Sequence, residues 1–313
     1  MPQLAAATPS PPPPAARLDV VYTWVDGGEA GFQRRLREFS TAPAATNAER
    51  YRDPAELLRH SLRSMETFFP DFGRVFLVTA RPQVPAWLDR AHPRLSVVHH
   101  DAFFDDPGAL PAFNSNVIES FLHRVPGVTP RFLYLNDDYF FGAPCSSADF
   151  VAPDGRPRVC GSFFGERFRA RVYERQLVSF GALEHGPLLV DRAEWIAALA
   201  TAPAEIAALR RHRFRQPDDL RPDRLYRWYL LARGRGVAEP AWRYLRYARF
   251  LKLRDDPVRL ARQLARLRAA RPKFFCLNDD LGPAPQPASF AAVTGFLADY
   301  FPQPSSFERT PPD

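Results

Sequence analysis

The decapeptide LDVVYTWVDG at residues 18–27 decides the fold. Val20, Val21, Tyr22, Thr23, Trp24 and Val25 are all β-branched or aromatic, the residues that favour extended backbone. Asp26-Gly27-Gly28 then gives a turn signal, so the segment reads as a buried strand that stops abruptly. Upstream, residues 1–17 are mostly Pro, Ala and Ser and are expected to form a disordered tail. Downstream, residues 29–39 and 55–69 have helical spacing. The second helix carries Leu57, Leu58, Leu62, Met65 and Phe69 on one side and stops at Pro70. Apolar runs follow at residues 74–79 (RVFLVT), 95–99 (LSVVH) and 132–135 (FLYL), with a helix at about 116–123 between the last two. Strands alternating with helices predict an α/β protein with a mainly parallel sheet covered on both faces. Ligands of such sheets bind beyond the carboxyl ends of the strands. Asp26 and Asn136-Asp137-Asp138 both follow predicted strands directly, so they are expected to share one crevice.

The C-terminal half reads differently. Residues 191–270 are mostly helical in pattern, one helix opening at Pro222-Asp223 and another running from Asp255-Asp256-Pro257 to Pro272. In the latter, Leu260, Leu264 and Leu267 form an apolar stripe flanked by Arg259, Arg262, Arg266 and Arg268. Such a helix lies on an anionic membrane or packs on its own domain with the arginines in water. Both readings stay open at this point.

Composition narrows the function classes. The 313 residues are 46% hydrophobic, with 26 Phe and 10 Tyr, enough for a large core without staples. Cys145, Cys160 and Cys276 form no close pair, which argues against a disulfide framework and a zinc site and fits a reducing compartment. No stretch reaches the roughly 18 apolar residues of a membrane helix, and the first residues lack a secretory pattern. A cytoplasmic location is expected, with peripheral contact at the inner face of the membrane as the variant that the basic helix would bring. The net charge of +7 rests on arginine, since lysine occurs only at Lys252 and Lys273. Arginine grips phosphate bidentately, whereas no nucleic-acid reader motif accompanies the charge.

The chemistry-bearing residues cluster. Asn136-Asp137-Asp138 at a strand end suits a hard divalent cation that also touches a diphosphate, or an ordinary turn. Near the C-terminus, KFFCLNDD (residues 273–280) repeats the pattern of an apolar strand ending in Asn278-Asp279-Asp280. Two such clusters facing one crevice would make a cation site beside a bound polyphosphate. Arg63, in an otherwise apolar helix, points to a phosphate or to a surface ion pair. Asn114-Ser115-Asn116 caps the following helix or offers its N–H groups to an anion. His185, in the turn-like Glu184-His185-Gly186-Pro187, is a base for an acceptor hydroxyl or a surface residue. Arg213 and Arg215 clamp phosphate or pair with Asp218-Asp219. No Walker loop, nucleophile elbow or Gly-rich dinucleotide turn is present.

Together these segments resemble the Stealth family of polysaccharide phosphotransferases, which includes bacterial capsule and exopolysaccharide polymerases and the catalytic subunit of the lysosomal-enzyme N-acetylglucosamine-1-phosphotransferase. Its four conserved regions have counterparts in LDVVYTWVDG, in the block from Arg52 to Gly142, in EHGPLLVDR followed by RHRFRQPDDL, and in KFFCLNDD. The resemblance implies a GT-A-like fold with helical additions: a single catalytic domain over residues 18–301, a helical insertion at about 191–271, and a C-terminal tail at 302–313. It implies dependence on Mg²⁺ or Mn²⁺ and transfer of hexose-1-phosphate from a nucleotide sugar, a UDP-sugar being favoured, to a glycan acceptor. Asp26, Arg63, Asn114 and Ser115 would hold the donor, together with Asn278. Glu119, Asp138, His185 and Arg215 match positions expected to be essential for activity, and Asp137 and Asp279 are the candidate metal ligands. Where the family often has a second histidine in the third region, this chain has Leu188. The alternatives are a conventional metal-dependent glycosyltransferase and a non-catalytic carbohydrate-binding protein at the inner membrane.

Overall fold

The computed structural model describes residues 17–40, 51–53, 55–159, 161–162, 181–182, 185–239, 243 and 246–309. Residues 1–16 of the tail expected over 1–17, residues 310–313 of the one expected over 302–313, and Cys160 and Glu184 lie outside them. Strands β1 (Asp19–Thr23), β2 (Val75–Thr79), β3 (Leu95–His99) and β4 (Arg131–Asn136) are the apolar runs expected from the sequence. Then come β5 (Tyr139–Phe141), the short β6 (Arg158–Val159), β7 (Gly161–Ser162) and β8 (Gly181–Ala182), and β9 (Leu188–Asp191). The last three are β10 (Val237–Ala238), β11 (Ala248–Leu253) and β12 (Phe274–Asp279).

The main sheet has the order β3-β2-β1-β4-β9; its first four strands are parallel and β9 is antiparallel to β4 at the edge. Period-2 alternation sorts the side chains. Val20, Tyr22, Leu133 and Leu135 pack against Leu58, Leu62 and Met65 of α2 (Leu57–Phe68). Val21, Phe132, Tyr134 and Val190 face the opposite layer. That layer comprises α3 (Ser115–Ser120), α4 (Arg192–Leu199), α5 (Pro203–Leu209) and α6 (Pro222–Ala232), with Trp195 and Tyr226 fully buried in it. The remaining early helix, α1 (Ala30–Phe39), is capped by Glu29, whose carboxylate accepts the Gly31 and Phe32 N–H groups.

A second sheet, β11-β12-β5, has β11 parallel and β5 antiparallel to β12. It corrects the expected helical insertion over 191–271: Ala248–Leu253 is a strand, because pairing with β12 satisfies its backbone along six registered residues. Helices α7 (Pro257–Ala270) and α8 (Pro287–Tyr300) cover this sheet. Leu260, Leu264 and Leu267 of α7 are buried there, while Arg259, Arg262, Arg266 and Arg268 face outward. The stripe is thus spent on the domain. No helix among the described residues is long and apolar enough to cross a membrane.

Residues 302–309 are not a free tail. Phe307 is fully buried against Phe72 and His92, and Glu308 bridges to Leu88 through the backbone. Phe307 and the two ion pairs of Glu308, with Arg59 and Arg63, hold a segment expected as a C-terminal tail.

Candidate active site

Two strand pairings bring the expected clusters together. The parallel pairing of β1 with β4 sets Thr23 beside Asn136, and Thr23 Oγ1 donates to Asn136 Oδ1 at 2.9 Å. The chain then turns through Asp137-Asp138 into β5, whose antiparallel pairing with β12 sets Tyr139 opposite Cys276. Leu277 N–H donates to the Asp138 carbonyl at 3.1 Å, so Asn278 and Asp279 emerge beside Asp138. The convergence of the two Asn-Asp-Asp clusters is a consequence of strand register.

They line a cleft of ≈ 520 Å³. Trp24, Phe32, Tyr51 and Phe113 give the same cleft an aromatic wall. The rings of Phe32 with Tyr51 and Phe32 with Phe113 pack edge to face, each pair with centroids 5.4 Å apart. Asp53 anchors this wall by accepting from Trp24 Nε1 at 3.0 Å and from the Leu57 N–H that opens α2. Close approach at Gly27 fixes Tyr51: Gly27 N–H donates to the Tyr51 carbonyl at 2.5 Å, and a Cβ at Gly27 would lie 2.4 Å from Tyr51 backbone. The cations at the cleft are Arg52, Arg215 and Lys252, the last paired with Asp280 at 3.0 Å. An aromatic slot continuing into mixed charge suits a ligand with a flat base and a polyphosphate.

A smaller pocket of ≈ 130 Å³ adjoins the cleft, and Ser115, Asn136, His185 and Arg215 line both. His185 stacks on Phe250 with centroids 4.5 Å apart. Glu119 is buried on the pocket floor, where Tyr134 donates to its Oε1 at 3.3 Å. Burial, and secondarily the nearby Asp223, push the Glu119 carboxyl up to about 8. Burial likewise lifts Asp138 to about 6, against the lowering effect of Cys276 and Asn278 hydrogen bonds, and raises Asp137 well above the ordinary carboxylate range.

Of the residues singled out from the sequence, Ser115, Asp137, Asp138, His185, Arg215, Asn278 and Asp279 line the cleft, and Glu119 lies just behind it. Arg215 donates to Ser115 Oγ at 2.5 Å. Two donor-site expectations, Arg63 and Asn114, are corrected. Arg63 reaches Glu308 instead, with Nε to Oε1 at 2.6 Å and Nη2 to Oε2 at 2.8 Å, because residues 302–309 fold back over α2. Asn114 is fully buried and structural. Its Oδ1 caps α3 at Asn116 N–H and its Nδ2 donates to Asp219 at 2.6 Å, tying α3 to the loop that carries Arg215. Asp26 is not among the residues lining the cleft; its Oδ1 accepts the Gly28 N–H and closes the turn after β1. Arg52, Asp53 and Cys276 escaped the sequence reading, although Arg52-Asp53-Pro54 carries a helix-start signature.

The residues at the carboxylate end fit a hard divalent cation. Asp138 Oδ1 is buried and accepts no hydrogen bond among the described residues, and Asp137 and Asn278 stand beside it. Oxygen donors of this kind suit Mg²⁺ or Mn²⁺. Asp138, His185 and Cys276 also place one ligand atom each within 4.8 Å of one another. The Cys276 thiol is pushed well above its ordinary pKa by burial and by Asp138, so it serves as a hydrogen-bond donor to that carboxylate. Asp279, expected as a ligand, is held by Arg52 through Nε to Oδ2 at 2.5 Å and Nη2 to Oδ1 at 2.8 Å. Its carboxylate is satisfied by a guanidinium, whereas Asp138 keeps one oxygen without a hydrogen bond among the described residues.

Fold and crevice together define an α/β protein whose cleft lies at the carboxyl ends of a mainly parallel sheet. The chain belongs to the Stealth family: Stealth protein conserved region 2 matches residues 50–159 and conserved region 4 matches residues 265–313. It is similar to an exopolysaccharide phosphotransferase of Streptomyces coelicolor, 37% identical over 322 residues that cover 93% of this chain and 52% of that protein. The exopolysaccharide phosphotransferase CpsY of Mycobacterium tuberculosis is 32% identical over 321 residues, covering 95% of this chain and 59% of CpsY. The chain therefore spans little more than half the length of these curated relatives. Among solved structures, an active-site mutant of LgtC is similar at TM-score 0.45 and 14% identity, covering 89% of this chain and 95% of LgtC.

Proposed function

We propose that this protein transfers hexose-1-phosphate from a nucleotide sugar, a UDP-sugar by preference, to a sugar hydroxyl, forming a phosphodiester in capsule or exopolysaccharide synthesis. The observation that carries this reading is the cleft itself, which joins an aromatic wall to two converged carboxylate clusters with His185 beside Asp138. The names of the curated relatives support the same class of transfer.

In this reading the aromatic wall holds the base, and Arg215 neutralises phosphate oxygens. Asp138 and Asp137 would hold Mg²⁺ or Mn²⁺, which would supply charge neutralisation at the donor diphosphate. His185 takes the proton of the acceptor hydroxyl. The acceptor oxygen bonds to the phosphorus attached to the donor sugar, the bond from that phosphorus to the bridging oxygen breaks, and nucleoside monophosphate leaves. Positioning and charge neutralisation account for most of the rate in such displacements.

The test is the nucleotide released. Incubation with Mg²⁺, UDP- or GDP-sugars and short glycan acceptors, followed by ion-exchange chromatography, is expected to yield UMP or GMP. Release of UDP or GDP would instead assign attack at the anomeric carbon, as in a conventional glycosyltransferase.

A further inference from the structure

Helix α7 has two sides with different employment. Leu260, Leu264 and Leu267 are buried against the β11-β12-β5 sheet, so this stripe has no part left for a bilayer. The outward side is a separate surface. Arg259, Arg262 and Arg266 recur at i, i+3 and i+7, which sets them on one side of the helix along about 10 Å of its axis. All three are exposed, and their side chains make no ion pair or hydrogen bond among the described residues.

Nothing acidic balances them. The helix itself holds no Asp or Glu. The carboxylates that flank it are engaged: Asp256 Oδ1 caps the Arg259 N–H at 3.0 Å, Asp255 accepts from Ser289 Oγ at 2.6 Å, and Asp299 pairs with Arg268 at 3.1 Å. Arg254 before the helix and Arg271 after it are exposed as well and extend the positive field. Val258, 61% exposed, stands in the first turn of the same helix.

Shape selects the occupant. The helix carries no aromatic ring on which nucleic-acid bases could stack, and a row along the outside of a helix encloses no single small anion. A plane of phosphates engages all three guanidinium groups at once, and Val258 adds an apolar contact at the boundary of headgroup and chain. None of these arginines lines the cleft, yet α7 starts from the end of β11 that carries the cleft residue Lys252.

We propose that the outward face of α7 is an electrostatic docking surface for the headgroups of an anionic phospholipid bilayer. The contact is peripheral, and salt weakens it. It does not depend on the transfer chemistry, so either can fail without the other.

Sedimentation of the full chain with vesicles of phosphatidylglycerol in phosphatidylcholine, and with phosphatidylcholine alone, at low and high salt, reads the contact. Wild type is expected to bind the anionic vesicles at least about tenfold more tightly than the neutral ones, and to lose that preference at high salt. The triple variant Arg259→Glu, Arg262→Glu, Arg266→Glu is expected to lose it at low salt, whereas the three arginines changed to Lys keep most of it. The same charge change made elsewhere, with Arg34→Glu, Arg37→Glu and Arg211→Glu, is expected to keep binding. Changing the α7 arginines to Gln serves where the Glu triple does not fold. Equal losses in the α7 triple and the control triple would assign the binding to net charge and overturn the proposal. So would equal binding to both kinds of vesicle, or binding of soluble polyphosphate without binding of anionic vesicles.

Discussion

The Cys276 thiol donates to Asp138 Oδ2 across 3.2 Å, joining β12 to the turn that follows β4. This contact orients the carboxylate whose other oxygen is open to a cation. Groups that orient a metal ligand typically contribute about 10–100-fold to metal affinity. Cys276→Ala is therefore expected to lower Mn²⁺ affinity by about tenfold or more. Cys276→Ser keeps a donor and should retain most of it. Asp138→Ala should abolish binding. Electron paramagnetic resonance titration of free Mn²⁺ reads all three; equal affinity in wild type and Cys276→Ala would remove the thiol from this role.

Arg63 belongs to folding in this structure. Glu308 has a nearly buried side chain and bridges both Arg63 and Arg59. Removing one partner of a buried pair costs about 3–5 kcal/mol. Glu308→Ala and Arg63→Gln are each expected to lose about 3 kcal/mol in urea unfolding, with donor KM unchanged. A raised donor KM at unchanged stability would return Arg63 to the donor site. Burial opposes ionisation of Glu308, but its hydrogen bonds from Arg63, Ser305 and Arg59 outweigh this and hold the carboxyl at about 2, below the ordinary glutamate value of 4.5. The folded state thus binds fewer protons than the unfolded chain in that window. The stabilisation is complete above pH 4.5 and is lost as pH falls towards 2, a loss absent from Glu308→Gln.

Gly27 has no room for a side chain. A methyl group there meets Tyr51 backbone at 2.4 Å, and backbone does not yield as a flexible side chain does. Gly27→Ala should shift Tyr51 away from Phe32 and cost about 1–3 kcal/mol, the usual range for overpacking. Calorimetry with UDP is expected to register weaker binding through the displaced aromatic wall. Unchanged UDP affinity would separate that wall from the base.

Glu119 gives the opposite pH signature to Glu308. Its carboxyl is raised from 4.5 to about 8 by burial and by Asp223, so the folded state holds the extra proton between those values. Its contribution makes stability fall as pH rises through that window. Glu119→Gln should therefore flatten the loss of urea midpoint between pH 5 and pH 8. An identical pH dependence in wild type and variant would contradict a protonated Glu119.

The strands were legible because their apolar runs are short, β-rich and bounded by turn residues, as LDVVYTWVDG is. The convergence of the Asn-Asp-Asp clusters was expected only as an assumption, since register between β5 and β12 is a long-range property. β11 was hidden because its burial is irregular and its charged residues break the alternation. Arg63 and Asn114 were misplaced for a related reason. Their residue types fit phosphate binding and capping alike, and the deciding partners, Glu308 and Asp219, lie 245 and 105 residues away. Asp223 carried a clear helix-start signal, which masked its position on a pocket floor.

The measurement that bears most directly on the central claim is ³¹P NMR of the complete reaction with Mg²⁺, nucleotide sugar and glycan acceptor. The account predicts a new phosphodiester resonance on the glycan, matched by nucleoside monophosphate and absent with Asp138→Ala. A glycan product without phosphorus, accompanied by nucleoside diphosphate, would contradict it.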